Sequence, residues 1–373
     1  MNTERANHGI SGDRPSLALL DVGCVPFERS RAKGSFGAVL FLVAILCSTN
    51  HSRADEGGVS FWLPGTFGSL AAVPETPGWS LAIVNYFAPV AAGGSVAAAR
   101  QVTIDHLGST VNVSLNANLR ANSGFVQIDP GYVFATPVFG GQFALGMAGI
   151  VSRNVTEVSG TLTASAGSPV VTRQGAIENA ITGFGDLSPE ATLRWNSGVN
   201  NWMIYATGNI PVGQYASTSL ANIGIGHGAI DGGGGYTYFD QQTGHEFSIV
   251  TGLTGNFINQ STGYTNGIDW HLDWGTSQSL TRELQIGVVG YFYDQLTADD
   301  GCNQLLCPFK SRVAGVGPQI GYVFPVGNME GNVNLKAYWE FAAQNRPEGW
   351  NAWITLSLSP ASPAAASPPV VTK

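Results

Sequence analysis

The feature that most constrains this chain is a recurring alternation of apolar and polar residues. From Ile268 to Trp274 the residues read Ile, Asp, Trp, His, Leu, Asp, Trp. Because β side chains point alternately to opposite faces, a strand here has one apolar face and one face that carries Asp269, His271 and Asp273. The apolar face suits either lipid or a second sheet, so this stretch alone leaves a barrel and a soluble sandwich both open.

The same alternation recurs along the chain. It is clearest from Thr110 to Arg120, where five apolar residues alternate with Asn, Ser and Arg. That length is about the ten residues that a tilted strand needs to cross a bilayer. Further stretches with this pattern are 125–135, 191–196, 201–210, 246–259, 282–293 and 332–341. No amphipathic helix pattern lies between them, which favours an antiparallel meander.

Composition favours the barrel over the sandwich. Charged residues make up 11% of the chain, against roughly 25% in average soluble domains. No apolar run of about 18 residues follows the N-terminal region, so transmembrane helices are excluded as the main architecture. We therefore predict an all-β fold, a closed antiparallel transmembrane β-barrel of the outer-membrane type, because closure removes strand edges that lipid cannot satisfy. At roughly 22 to 28 residues per strand and connection, the chain after residue 54 gives about 12 strands, with 14 as the alternative.

The N-terminal region has the features of an export signal. The basic stretch Arg29–Lys33 precedes an apolar run from Phe36 to Cys47, and small residues follow at Ser52–Ala54. We predict that residues 1–54 are an N-terminal extension and signal peptide, and that the general secretory route delivers the protein to the outer membrane of a Gram-negative bacterium.

The remaining chain divides into three parts. Residues 55–77 carry proline or glycine every few positions and are expected to be irregular, packed in the mouth or lumen of the barrel. Residues 78–359 are expected to form the barrel. Residues 360–373 are a Pro/Ala-rich tail with no packing potential, expected to be disordered.

The charge balance limits the partners. The net charge is −8 and no basic cluster appears after the signal region, which argues against nucleic acid. The expected partners are outer-membrane lipid, a small-molecule solute and the barrel-assembly machinery, which would read the last strand, 352–359.

Motifs for cofactors, metals and catalysis are weak or missing in the sequence. Side chains two apart on one strand are separated by about 7 Å, which is wide for one metal ion held by Asp269, His271 and Asp273. Gly232–Gly235 lacks the Lys-Ser/Thr of a phosphate loop and is expected to be a flexible loop or the start of a strand. No Gly-x-Ser-x-Gly motif occurs. We predict no cofactor, no metal and no catalytic residues.

Two cysteines, Cys302 and Cys307, lie five positions apart in a polar stretch. In an oxidising compartment this pair predicts a loop disulfide, with a pair of free thiols as the alternative.

Several motifs resemble one family of outer-membrane proteins, the one named after the meta pathway of phenol degradation. The motifs are Gly58–Gly65, Gly183–Leu187, Thr237-Tyr238, Thr243–Ser248, His271–Trp274, Gly290–Thr297, Gly317–Gly321 and Asn334–Glu340. They occur in order over nearly all of residues 57–358. The resemblance implies a barrel that passes small, often aromatic, compounds through the outer membrane, and it implies no catalytic motif.

The polar faces of the predicted strands supply the candidate lumen-lining residues. These are Asp269, His271, Asp273, Glu283, Gln285, Lys336, Glu340, Tyr205, Tyr291, Tyr338, Arg120 and Arg194. They would either orient a solute or form a hydrogen-bonded network that fills and holds the barrel. The three tyrosines are candidates for stacking an aromatic solute. Other aromatic residues are expected in the interfacial girdles, namely Trp270, Trp274, Phe292, Tyr293, Trp339, Trp350 and Trp353.

The sequence thus predicts a non-enzymatic channel for passive or facilitated uptake of small aromatic or hydrophobic compounds. One alternative is an outer-membrane hydrolase acting on lipid or ester. The other is an occluded structural or adhesive barrel that binds partners through loops at 155–177 and 297–309.

Overall fold

The structure, a computed structural model, describes residues 60–94, 100–104, 109–165, 170–219, 221–301, 310–346 and 348–361. The expected signal region, the cysteine pair and the tail from residue 362 lie outside the described residues. Within the described ranges, no helix is long and apolar enough to span a membrane. The strands are β1 (Gly78–Gly94), β2 (Arg100–Ile104), β3 (Ser109–Val133), β4 (Gln142–Ser165), β5 (Val170–Ser197), β6 (Asn200–Asn209), β7 (Ala229–Asp240), β8 (His245–Asn256), β9 (Asp269–Ser279), β10 (Leu284–Gln295), β11 (Arg312–Val326), β12 (Met329–Gln344) and β13 (Glu348–Pro360).

These strands form one closed antiparallel barrel. From β2 to β13 each strand pairs with its neighbours in sequence, and β1 closes the wall by pairing with β13 on one side and β3 on the other. For example, Ile83 lies opposite Leu356 of β13 and opposite Ile128 of β3. The short β2 pairs only with β3 and continues the line of β1, so the wall has 12 strands. The predicted closed barrel of about 12 strands is confirmed.

The connections are short at one end of the barrel and long at the other. Four of the described connections at the end where β1 starts and β13 finishes are turns of two to four residues, at 198–199, 241–244, 280–283 and 327–328. Two of those at the opposite end are long loops, at 210–228 and 257–268. This asymmetry is typical of outer-membrane barrels, in which the short turns face the periplasm.

Side chains alternate between the two faces of the wall. In β9, Asp269, His271 and Asp273 point inward and are at most 1% exposed, as the alternation predicts. The outer face carries exposed apolar side chains, among them Trp202, Ile204, Ile230, Phe247, Leu253, Ile286, Val288, Phe292, Val316, Ile320, Leu335, Trp339 and Ile354. In contact with lipid, the apolar side chains of such a face avoid the free-energy cost of exposure to water.

Two expectations about loops were wrong. The described residues between 155 and 177 belong to β4 and β5, which run on well past the length that a membrane requires. Their Ser, Thr and Val content supports strands as readily as loops, and cross-strand pairing decides in favour of strands. Of the two alternatives for Gly232–Gly235, a flexible loop or the start of a strand, the loop was wrong, since these residues lie within β7 and are paired on both sides.

Candidate functional site: the inner face and the segment bound to it

Residues 60–77, called the inner segment below, contain neither helix nor strand before β1 begins at Gly78. They pack against side chains on the inner face of the barrel. The carboxylate of Asp273 accepts hydrogen bonds from the backbone N–H groups of Gly65 and Phe67, at 2.9 and 3.0 Å. The ammonium group of Lys336 donates to the carbonyls of Gly65 and Thr66, at 2.6 and 3.1 Å. One short loop is therefore held from opposite sides by a carboxylate and an ammonium group.

The second half of the inner segment is held by other inward side chains. Glu246 accepts from the N–H of Leu70 at 2.9 Å, and the hydroxyl of Thr237 accepts from the N–H of Ala72 at 3.1 Å. Arg194 donates to the carbonyl of Ala71 at 3.3 Å and forms a 2.8 Å ion pair with Glu75. The segment is therefore bonded to β5, β7 and β8 as well as to β9 and β12.

Of these holding groups, Asp273, Lys336 and Arg194 are among the sequence candidates, while Glu246 and Thr237 are not. Glu246 is buried, and hydroxyl groups of Ser248 and Ser277 donate to its carboxylate. The alternation places Glu246 and Ser248 on the polar face of one strand, which is the signal that could have found them. Thr237 carries no comparable signal because threonine is common on either face of a strand.

Gly65 is the point at which the inner segment turns most sharply. Its φ angle is +91°, and a Cβ there would lie 2.9 Å from the Tyr338 ring. A side chain at this position therefore meets both backbone strain and a steric clash.

We expect Gly65→Ala to weaken docking of the inner segment by about 1–3 kcal/mol. Gly68→Ala is the matched control, since a Cβ there meets the end of the flexible Gln319 side chain and φ is not positive. Protease sensitivity of the segment in the folded barrel is the measurement. Equal sensitivity of the two variants would show that Gly65 has no special role.

The first part of the inner segment contributes an aromatic cluster. The Trp62 indole stacks on the His271 imidazole with ring centres 3.7 Å apart and planes 11° apart. Phe67 and Tyr205 lie at 5.7 and 5.9 Å from the Trp62 ring. His271 Nε2 lies 2.9 Å from a carboxylate oxygen of Asp231, which is also buried. Tyr205 and His271, both sequence candidates, thus contact the inner segment itself.

The other inward tyrosines are also engaged inside the protein. The Tyr291 hydroxyl donates to Glu340 and accepts from Asn351, both at 2.9 Å. The Tyr338 hydroxyl lies 3.4 Å from the Gly65 carbonyl. In this structure these rings contribute to the internal network, and the stacking of a solute on them stays a prediction.

Four other candidates lie in different settings. Gln285 faces inward and donates to the Ser277 hydroxyl at 2.5 Å. Glu283 does not line the lumen as expected, because β10 begins one residue later and Glu283 is exposed in the preceding turn, where Thr281 donates to it at 2.9 Å. Arg120 is exposed on β3, and Asp269 is buried and accepts from Asn256 at 3.0 Å.

Two of the expected girdle aromatics point inward. Trp353 is 5% exposed, and the Lys336 ammonium lies 5.1 Å from its ring centre. Tyr293 is buried as well, whereas Phe292, Trp339 and Trp350 are exposed on the outer face. Strand register decides which aromatic residues of a strand point inward, and the sequence alone does not fix that register.

The inner face is accessible on the side formed by β3, β4 and β5. Glu190 faces inward in register with Gly146 and Thr207, yet its side chain is exposed. Gln127 and Asp129 face the same space from β3 and are half-buried. The lumen is therefore filled by the inner segment against β7–β9 and β12 and remains accessible beside β3–β5. Sequence reasoning missed Glu190 and Asp129, although Asp129 lies in a predicted strand.

The loop at 210–228 crosses the end of the barrel that carries the long loops. Asp186 of β5 accepts from the N–H groups of Gly213 and Ile225, at 2.7 and 2.9 Å. Asn154 of β4 donates to the carbonyl of Asn222 at 2.6 Å. The loop is thereby fixed across the inner faces of two neighbouring strands, above the accessible side of the lumen.

Comparison with known proteins places the chain in a family. A family model described as "Putative MetA-pathway of phenol degradation" matches residues 108–356. The chain belongs to this family. The resemblance in the sequence motifs is thereby confirmed. Among curated protein sequences, none matches the chain.

Solved outer-membrane barrels are similar to the chain at low sequence identity. An outer membrane channel from Pseudomonas putida F1 is 13% identical, with a TM-score of 0.49, over 77% of this chain and 97% of that one. A FadL homologue from Pseudomonas aeruginosa is 9% identical, with a TM-score of 0.35, over 76% and 89% of the two chains. The translocator domain of the autotransporter NalP from Neisseria meningitidis is 6% identical, with a TM-score of 0.28, over 77% and 90%.

Proposed function

We propose that this protein is an outer-membrane channel for passive uptake of small aromatic or hydrophobic compounds. The observation that carries the proposal is a closed barrel with an apolar outer face whose lumen stays accessible beside β3–β5. Membership of a family named for phenol degradation supports aromatic solutes. Solute diffuses down its gradient between the inner segment and this wall, and no nucleotide, metal or cofactor takes part.

The charges along this passage favour neutral solutes over anions. Glu190 and Asp129 face it, while the nearby Arg194 is paired with Glu75. When the two carboxyl groups are ionised, they repel an anionic solute at short range. Charges in a narrow passage with walls of low dielectric constant are poorly screened. An uncharged aromatic molecule meets no such barrier.

Nicotinamide and nicotinate provide a matched pair of solutes for a test, because they share one ring and differ in charge. We expect proteoliposomes to take up nicotinamide faster than nicotinate or arabinose, after subtraction of protein-free vesicles. Glu190→Gln should raise nicotinate uptake severalfold and leave nicotinamide uptake nearly unchanged. Equal uptake of all three solutes would contradict a selective channel and indicate a general pore.

An occluded barrel is the second candidate, and the hydrogen bonds that fix the inner segment and the 210–228 loop favour it. In that case none of the three solutes enters the proteoliposomes. Binding of partners outside the barrel would then be its function.

A further inference from the structure

The stacked pair of Trp62 and His271 leaves several polar atoms without partners. Within the described residues, Trp62 Nε1, His271 Nδ1 and Asp231 Oδ1 are buried and have no hydrogen-bond partner. All three belong to one cluster, since Trp62 stacks on His271 and His271 Nε2 contacts Asp231. A buried polar atom without a partner costs free energy, so such a cluster requires an explanation.

The chemistry of these atoms defines what they can bind. Asp231 Oδ1 is an acceptor, and His271 Nδ1 is an acceptor in the tautomer whose Nε2–H donates to Asp231. The Trp62 N–H is a donor that reaches neither atom. The indole thus fills a flat space against the imidazole and leaves both acceptors unsatisfied.

The walls of this space are shaped for a ring. Tyr205 and Phe67 flank Trp62, and Met203 and Val250 complete the buried cluster. Gly252 leaves room for two of these walls, because a Cβ at that position would lie 2.8 Å from His271 Cε1 and even closer to the Tyr205 hydroxyl. We call the space now filled by the Trp62 ring the aromatic slot.

Trp62 lies on the less firmly anchored arm of the inner segment. Within the described residues, hydrogen bonds from barrel side chains reach the backbone of the inner segment between Gly65 and Glu75. Among the described residues from 60 to 64, the side-chain bonds to the backbone are local ones, from Ser60 to the Trp62 carbonyl and from Thr66 to the Leu63 carbonyl. Trp62 is therefore held by ring stacking and apolar packing, whereas the loop at Gly65–Phe67 is held by hydrogen bonds to Asp273 and Lys336.

We propose that the aromatic slot is a solute-binding site and that Trp62 occupies it in place of the solute. Its ligand is a flat, neutral aromatic ring that carries one hydrogen-bond donor, such as a ring hydroxyl. The ring replaces the indole against His271, and its donor satisfies Asp231 Oδ1, because the lone pair of His271 Nδ1 lies in the imidazole plane and does not face a ring stacked on that plane. This inference rests on the proposed function, and it names the site and the feature of the solute that the site selects.

The test follows the ¹⁹F signal of Trp62 in the full mature chain labelled with fluorotryptophan, with the signal assigned by Trp62→Phe. Three probes separate the requirements: phenol has the ring and the donor, anisole has the ring alone, and cyclohexanol has the hydroxyl alone. Trp202, exposed on the outer face, is the internal control, because probes that merely dissolve in the detergent move its signal too.

We expect phenol to move the Trp62 signal saturably, without an equal shift at Trp202. Anisole should need a concentration about tenfold higher, because it leaves Asp231 Oδ1 unpaired. Cyclohexanol should not displace the indole. Asp231→Asn should reduce the preference for phenol over anisole.

Uptake of phenol into proteoliposomes, measured in parallel, separates this inference from the proposed function. A Trp62 signal that phenol leaves unmoved, with normal phenol uptake, overturns the slot and leaves the channel standing. A saturable shift without uptake supports the slot and overturns the channel. Equal shifts with phenol and anisole overturn the donor requirement.

Discussion

Deletion of residues 60–77 is expected to raise the single-channel conductance of the barrel severalfold. The inner segment occupies the side of the lumen lined by Asp273, His271 and Tyr291, each of which is at most 1% exposed. Without the segment, these polar side chains would face water, and the cross-section open to ions would include both sides of the barrel. Planar-bilayer recordings of the two purified proteins provide the measurement.

The barrel itself should survive this deletion, because its wall closes through the β1–β13 and β1–β3 ladders. Heat-modifiable gel migration checks that the variant is folded. Glu283→Gln, a change in an exposed turn, is the control and should conduct like the parent. A folded deletion variant with the parent's conductance would show that the inner segment does not restrict the lumen.

The second large effect is expected from Asp273→Ala, which should release the inner segment from the wall. The substitution removes the acceptor for two backbone N–H groups and leaves Lys336 as a buried charge without its carboxylate neighbour. Breaking a buried salt bridge by removing one partner typically costs about 3–5 kcal/mol. The lower end applies here because Asp273 and Lys336 bind the same loop without forming a direct ion pair. A loss of about 3 kcal/mol in docking corresponds to a rise of roughly 100-fold in the undocked population.

The undocked population can be measured with the variant Ser69→Cys, made in a background with Cys302→Ser and Cys307→Ser. The rate at which a water-soluble maleimide labels this cysteine reports the population. We expect Lys336→Met alone to accelerate labelling as well. The double variant should be less affected than the sum of the two, because the two charges compensate one another. Strictly additive effects would show that Asp273 and Lys336 hold the segment independently.

The wall of this barrel could be predicted from sequence because its signal is local. Alternation in stretches such as 268–274 follows from the two-residue repeat of a strand, and low charge with export features indicated an outer face in lipid. Inward placement of Asp273, His271 and Lys336 followed from the same repeat.

The contents of the lumen were harder to predict, since they depend on contacts between residues far apart in sequence. Gly65 and Lys336 are hydrogen-bonded although they lie 271 positions apart in the sequence. The residues around either position do not predict this contact. Trp353 was misplaced because an aromatic residue suits both a membrane interface and a cation–π contact, here with Lys336. Glu190 was missed because its exposure depends on which part of the lumen the inner segment leaves empty.

One cross-link shows whether the inner segment lies inside the barrel. The N–H of Ala72 donates to the hydroxyl of Thr237 at 3.1 Å, and both residues are fully buried. Ala72→Cys combined with Thr237→Cys, in the Cys302→Ser and Cys307→Ser background, should form a disulfide under mild oxidation in the folded barrel. A peptide that joins residues 72 and 237 in the mass spectrum is the predicted result. Two separately alkylated cysteines in a folded, heat-modifiable barrel would contradict it.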